Sequence, residues 1–332
     1  MDPEYFIMST KQPLHASLSA IATPRRFDTL SPLRYLTRRI YLYFASHSQI
    51  STSQSSPLRV VCISDTHNRT TIIPDGDILI HAGDLSDNGT ISEIQAQIDW
   101  LASLPHTHKI AIAGNHDSWL DPEIRTKLPV IEQEGSLDWK SVRYVQSEAV
   151  TLEVGKRAWN IYAAPHVPYC GSNSFAFQYQ RHSPPWKKTP ACHIPADTDI
   201  LITHTPPRFH QDLASSDSRH LGCKALLEEV WRVRPKLHVF GHVHASRGMS
   251  LVRWDYGQKA YERTCLRKDA GLLELLDLWA WIDLSIVVVC GFSREVNNVL
   301  RRNTGQESIM VNAAVWTDSH GHLEYPIQVA EL

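Results

Sequence analysis

Short apolar runs recur along the middle of the chain. They are "RVVCIS" at 59–64, "DILIHA" at 77–82, "KIAIAG" at 109–114, "WNIYAA" at 159–164, "DILITH" at 199–204, "KLHVFG" at 236–241 and "SIMVNAAVW" at 308–316. All are rich in Val, Ile and Ala, and several are apolar at consecutive positions, as strands buried on both faces are. Between them the period changes. Thr90 and Glu93 have capping-box spacing, and Ile91, Ile94, Ile98 and Leu101 then share one helical face. "CKALLEEVWRV" at 223–233 predicts a second helix that stops before Pro235. Strands alternating with helices imply a layered α/β fold.

Two segments break this rhythm. Residues 1–57 read as an N-terminal extension, punctuated by Pro13, Pro24 and Pro32 and closed by the polar linker 51–57. Within it, "LRYLTRRIYLYF" puts Leu33, Leu36, Ile40, Tyr41 and Phe44 at helical spacing, with Arg34 and Arg38 on another face. No Asp or Glu occurs from 29 to 64, so a basic amphipathic helix is expected here, packed on the domain or touching a membrane surface. The second segment is an apolar insertion at about 261–305 within a core domain of 58–332. Its stretch "GLLELLDLWAWIDLSIVVVCGF" contains Glu274, Asp277 and Asp283. The uncharged part, Leu284 to Phe292, falls far short of the roughly 20 residues a membrane span needs. Two readings follow: a helical lid, or peripheral membrane contact through Arg34–Phe44 and Leu272–Phe292.

Composition narrows the function classes. The 332 residues carry a formal net charge of −2, which offers no general attraction for a polyanion, so no specific nucleic acid binding is expected. The six cysteines form no C-x-x-C pair and read as reduced thiols filling the core. No leader with a cleavage site is evident, and a cytoplasmic location is expected.

The chemistry lies where the strands end. Asp65-Thr66-His67 follows the first run, and Gly83-Asp84 the second. Gly114-Asn115-His116-Asp117 closes the third, His204 ends "DILIT", and Gly241-His242-Val243-His244 follows "KLHVF". In open α/β sheets the ligand site lies at the carboxyl ends of the strands, so these clusters can converge. Carboxylate, amide and imidazole donors without thiolate suit Mn, Fe, Co or Zn. Two carboxylates, four histidines and one asparagine exceed what one ion needs and fit two.

The ordered set D-x-H, G-D, G-N-H-D, a lone His and G-H-x-H resembles the calcineurin-like metallophosphoesterase superfamily. The wording "SDTHNRT", "PDGDILIHAGD", "IAGNHD", "LITHTPP" and "RPKLHVFGHVH" is similar to its metallophosphoesterase-domain-containing branch, grouped with class III cyclic nucleotide phosphodiesterases. The resemblance implies a layered α/β/β/α sandwich with a metal site at the strand ends. It implies two divalent or mixed-valence ions, Mn, Fe or Zn. Asp65, His67 and His244 would bind one, Asn115, His204 and His242 the other, with Asp84 bridging both. A bridging hydroxide would attack in line on a small phosphodiester or phosphomonoester, a cyclic nucleotide among the candidates. His116 would protonate the leaving oxygen or stabilise the phosphorane-like charge, and Asp117 would orient it. Protein phosphatases of the superfamily carry Arg where Asn88 stands, which argues against that subgroup. A phosphoprotein phosphatase and a non-catalytic, membrane-associated scaffold of the same fold are the alternatives. Of the other histidines, His81 reads as a core or supporting residue and His106 and His108 as solvated. His166 reads equally well as lining the pocket or packing, and Asn68 and Arg69 as contacting phosphate or shaping the turn.

Overall fold

All seven apolar runs form strands. The structure, a computed structural model, describes residues 31–46, 57–186, 192–214, 219–300, 306–315 and 326–332. The expected extension is thus described only over 31–46 and at Pro57; the rest of it, linker 51–56 included, lies outside the described residues. In chain order the strands are β1 Arg59–Ile63, β2 Ile78–Ala82, β3 His108–Ile112, β4 Arg143–Tyr144, β5 Glu148–Val154, β6 Arg157–Ala164 and β7 Val167–Pro168. They continue with β8 Gln178–Tyr179, β9 Ile200–Thr203, β10 Leu237–Phe240, β11 Gly248–Arg253, β12 Glu307–Asn312 and β13 Gln328–Glu331. The longer helices are α1 Pro32–Ser46, α2 Ile91–Ser103, α3 Lys224–Val233, α4 Tyr256–Leu266 and α5 Leu278–Val299. The chain divides into two compact units, one holding the described residues of 51–249 and 307–332, the other those of 1–50 and 250–306.

The first unit is a layered α/β sandwich built on two sheets. One runs β13-β1-β2-β3-β4, and the other includes β12-β10-β9-β6-β5. β1, β2 and β3 are parallel neighbours, as are β6, β9, β10 and β12. Every parallel strand therefore delivers its following loop to the same kind of edge. Alternation of side chains fixes what each face meets. Val61, Ile63, Leu79 and Ala111 turn toward α2 and bury against Ile94, Ile98 and Leu101. The capping box at the start of α2 forms as expected: the Thr90 hydroxyl accepts from Glu93 N–H, and the Glu93 carboxylate accepts from Thr90 N–H. α3 ends at Arg234, which sits at φ 52°, just before Pro235.

The two sheets are tied together at their carboxyl edges. Ser64 donates its N–H to the Ala313 carbonyl at 3.0 Å and accepts from Val315 N–H at 2.9 Å. The ring of His204, on the second sheet, bonds to the Ala82 carbonyl of the first at 2.8 Å. The site therefore forms where the parallel strands of the two sheets end side by side.

In the second unit α1 packs on α4 and α5. Tyr41 stacks on Tyr261 with ring centroids 3.9 Å apart, and its hydroxyl donates to Gln258. Leu33 packs on Ala280 and Leu284, and Gly291 leaves room for the Phe44 ring. The buried stripe is Leu33, Thr37, Tyr41 and Phe44, while Leu36, expected on it, is 43% exposed. The pattern of apolar residues admitted both stripes; packing against the neighbouring helices selected the one containing Thr37. Among the described residues no helix is long and apolar enough to cross a membrane.

Ile98 is fully buried between α2 and the sheet. Ile98→Ala should destabilise the first unit by about 2–5 kcal/mol, because the rigid sheet cannot close over the cavity. Denaturant unfolding followed through that unit's transition would measure it.

Candidate metal centre

Each predicted ligand stands one to four residues beyond a strand end, and the loops there are tightly wound. Asp65 at φ 57°, His67 at φ 46°, Asp84 at φ 56° and His242 at φ 65° all occupy the left-handed region. Side-chain-bearing residues enter it at a cost of roughly 1–2 kcal/mol each, so the surrounding bonds must enforce it. They do so densely. Asp65 N–H donates to the Gly83 carbonyl at 2.8 Å, and His67 N–H to the Asp84 carbonyl at 3.2 Å. The Asp65 carboxylate accepts from Ser64 Oγ–H and from His242 N–H.

Glycine before a ligand makes room for this. A methyl at Gly114 would fall on the Asp84 carboxylate and the His204 ring, and one at Gly241 would fall on Asp65 and Ser64. The G-N-H-D and G-H-x-H spellings therefore record close approach between loops.

The side chains gather in three sets, each with potential ligand atoms within 4.8 Å of one another: Asp65, His67 and His244; His67, Asp84 and His116; Asp84, His204 and His242. His244 Nε2 lies 3.1 Å from Asp65 Oδ1. His204 Nε2 lies 3.2 Å from both Asp84 Oδ2 and Asn115 Oδ1. Because His204 Nδ1 donates to the Ala82 carbonyl, Nε2 is left facing the site. Asp84 Oδ1 is held by His116 N–H at 2.8 Å, while Oδ2 faces His204 and lies 3.8 Å from His67 Nε2. The donor set is oxygen and imidazole nitrogen, with no thiolate, and it fits hard or borderline divalent cations.

Electrostatics inside this pocket are strong because Asp65, Asp84 and His204 are almost fully buried. Burial alone would raise the Asp65 carboxyl, but His244, His204 and His67 outweigh it and hold it far below the usual range. Asp84 is likewise brought down to about 2 against its burial, chiefly by His204. Burial works against an imidazolium at His204 too, yet the Asp84 carboxylate beside it raises it to about 9. His242 is pushed down to about 4 by burial and by His204.

The catalytic pair expected from G-N-H-D separates. His116 Nδ1 bonds to the Asp87 carbonyl at 2.8 Å, and its ring lies 4.7 Å from that of Phe175. Asp117, expected behind the His116 ring, is fully buried and spends its carboxylate elsewhere. It accepts from Leu85 N–H, Ser86 N–H, Ser86 Oγ–H and Gly114 N–H at 2.7–3.2 Å. It clamps the loop after β2 to the loop after β3. Burial and the neighbouring Asp84 raise its carboxyl.

Several supporting residues carried no local signal. Asn312 donates to the Val243 carbonyl at 2.9 Å and to the Gln211 carbonyl at 3.1 Å, fixing the loop that carries His242 and His244. Phe175 and Ser86 likewise act on residues far along the chain, His116 and Asp117, while Ser64 acts on its neighbour Asp65. His81 is buried and bonds Thr66, as a supporting residue should, with burial pushing it to about 3. His166 is packed between Ser147 and Cys192 and the rings of Phe177 and Trp186. His108 is half-buried at the start of β3. His106, expected to be solvated, is buried with Nε2 on the Pro74 carbonyl at 3.0 Å. Asn68 donates to Glu93 and so shapes the turn.

Comparison with known proteins bears on the whole arrangement. A family model described as calcineurin-like phosphoesterase matches residues 58–246. Probable rhamnogalacturonate lyase C of Emericella nidulans is 41% identical over 236 residues, which cover 70% of this chain and 21% of that protein. Metallophosphoesterase domain-containing protein 1 of Homo sapiens is 38% identical over 205 residues, covering 58% of this chain and 62% of that one. A UPF0046 protein of Caenorhabditis elegans is 32% identical over 200 residues, covering 58% and 65%. The matched stretch thus spans less than two thirds of each relative's length.

The charge pattern predicts how a cation enters. His204 in the metal-free site keeps its proton up to about pH 9, and a metal must displace it. Binding of Mn²⁺ or Zn²⁺ near neutral pH should therefore release protons, and affinity should rise with pH until about 9 and then level. Calorimetry in buffers of different ionisation enthalpy counts the protons released.

Proposed function

This chain belongs to the calcineurin-like phosphoesterase family, and from that premise we propose that it is a two-metal phosphoesterase acting on a small phosphodiester or phosphomonoester, a cyclic nucleotide among the candidates. One observation carries the reading: the ligand sets overlap, with His67 and Asp84 each belonging to two of them. Asp65, His67 and His244 hold one cation in this reading, and Asn115, His204 and His242 the other. Asp84 serves both, and the placement of its Oδ2 between His204 and His67 supports that role. Two cations bound there would lower the pKa of a water between them and neutralise charge on the phosphoryl oxygens.

The chain's own residues do the rest. His116 keeps one ring nitrogen on the Asp87 carbonyl and has the other available to hand a proton to the leaving oxygen. Phe175 limits the swing of that ring. Asp117 acts by holding the loops that carry Asp84 and Asn115 rather than by touching the ring. A shallow depression beside Asp65 is lined by Thr66, Arg69, Thr70, Thr71 and Val315, and in this reading Arg69 supplies a guanidinium to pair with a phosphoryl oxygen. Asn88, where protein phosphatases of the superfamily carry Arg, donates instead to Glu93 at 2.8 Å. That favours small esters over phosphoproteins.

Hydrolysis of bis-p-nitrophenyl phosphate and p-nitrophenyl phosphate, each with Mn²⁺, Co²⁺, Ni²⁺ and Zn²⁺, tests the reading. No turnover of either with any of these ions would overturn it. Asp84→Asn should abolish turnover and lower bound metal, measured by elemental analysis of the dialysed protein. Two retained ions with a normal rate would remove the bridging role.

His116→Ala should leave metal content near normal and slow the reaction roughly 10²–10⁴-fold, the usual worth of general acid help. The loss should shrink for esters with good leaving groups, which need less protonation. A plot of rate against leaving-group pKa reads this directly. Loss of an ion in this variant would make His116 a ligand.

A further inference from the structure

Helix α5 is apolar on two sides. One side, with Ala280, Leu284 and Val287, is buried on α1 and α4. The other, running Leu278, Trp281, Val289, Phe292 and Val296 at intervals of about one or two turns, is exposed. The helical turns before it add Leu272, Leu273 and Leu276. Leu276 is 83% exposed, Trp279 69% and Phe292 62%. A helix apolar on both faces has a partner for both, and an exposed apolar patch of this extent marks an interaction surface.

The acids of this stretch reveal what the partner is. Residues 270–293 contain no Lys or Arg and three acids, Glu274, Asp277 and Asp283. In a helix facing water those acids would point outward at no cost. Here they turn inward. Glu274 is buried and accepts from Arg34 N–H at 3.0 Å. Asp283 is buried and held by Arg263 at 2.5 Å and Arg267 at 2.8 Å. Asp277 is half-buried and bonds Arg267 at 2.5 Å. Burying carboxylates is costly unless they are paired; Asp277 and Asp283 are paired with arginines, and Glu274 accepts from a backbone amide. The result is an outer face without charge as far as Ser293; beyond it Arg294 is turned onto Asp255 at 2.6 Å and Glu295 is half-buried.

From this arrangement we propose that the exposed face of α5 and the turn before it docks in the plane of a lipid bilayer. Protein partners ask for a charged or polar rim around an apolar centre, and paired helices for charges beside their seam. Here Ser285 is the one polar residue within the face, Trp279 and Ser293 stand beside it, and the acid Glu295 comes only at its last turn. Hydrocarbon asks for what the face offers: no charge, aliphatic bulk, and tryptophan at the boundary. Trp281 already donates its Nε1–H to the Leu275 carbonyl at 3.0 Å, so its ring can enter an apolar layer with the donor satisfied. Arg39, Lys259 and Lys268 are exposed on the same unit and suit anionic headgroups. The helix lies along the surface and does not cross it.

The test is co-sedimentation of the full chain with vesicles of phosphatidylcholine, alone and mixed with phosphatidylserine. The wild type should bind, more strongly to the mixed vesicles, and its tryptophan emission should be quenched by brominated acyl chains. Leu276→Asp and Phe292→Asp, both at exposed positions, should each weaken partitioning roughly ten- to a hundredfold. Circular dichroism and melting temperature of both variants should match the wild type, and Trp279→Ser should reduce the quenching without adding charge. Wild-type protein left in the supernatant with both vesicle types would overturn the proposal. So would a dimer in sedimentation velocity, without vesicle binding, that the same substitutions dissociate, because a second copy would then cover the face.

Discussion

The arrangement of the site rests on one contact: the His204 ring on the Ala82 carbonyl. That bond crosses from one sheet to the other and does two things at once. It fixes the separation of the sheets at their carboxyl edges, where Ser64 makes the matching backbone link to Ala313 and Val315. It also decides which imidazole nitrogen points at Asp84 and Asn115. Ligands drawn from both sheets meet within a few ångströms because the sheets themselves are latched there.

The same closeness explains the strain. Four of the ligand-bearing positions lie at positive φ without being glycine. Nothing local favours that. The cost, roughly 1–3 kcal/mol at each such residue, is offset by a buried network that leaves the loops no alternative. Asp117 takes four donors from two loops, and Asn312 holds a third loop from a strand remote in sequence. The carboxylates of Asp65 and Asp84 raise His204 and His244, and those imidazoles in turn lower both carboxyls, so each side of the pocket favours the charged form of the other.

The second unit solves a different problem with the same tools. Of the three carboxylates that interrupt its apolar stretch in sequence, Asp277 and Asp283 become internal ion pairs with Arg263 and Arg267, and Glu274 accepts from the backbone of Arg34. Alternating acid and leucine in sequence thus becomes separated charge and apolar surface in space, because helical geometry sends neighbours a hundred degrees apart.

The sequence by itself determined the strands, the cap of α2 and the end of α3. These are local facts, set by period, by Thr90 and Glu93, and by Pro235. It also located the candidate ligands, because each lies within four residues of the end of the strand that positions it. Tertiary structure alone decided what those donors do with one another. Asp117 stands beside His116 in sequence yet bonds Leu85 and Ser86, since its direction is set by a loop thirty residues away. His106 reads as a loop residue and is buried, because Pro74 happens to present a carbonyl to it. Leu36 and Thr37 could each have joined the buried stripe of α1, and only the shape of α4 and α5 chose. Period and spacing tell a residue where it points along its own element; what it meets there depends on chain segments that no local pattern contains.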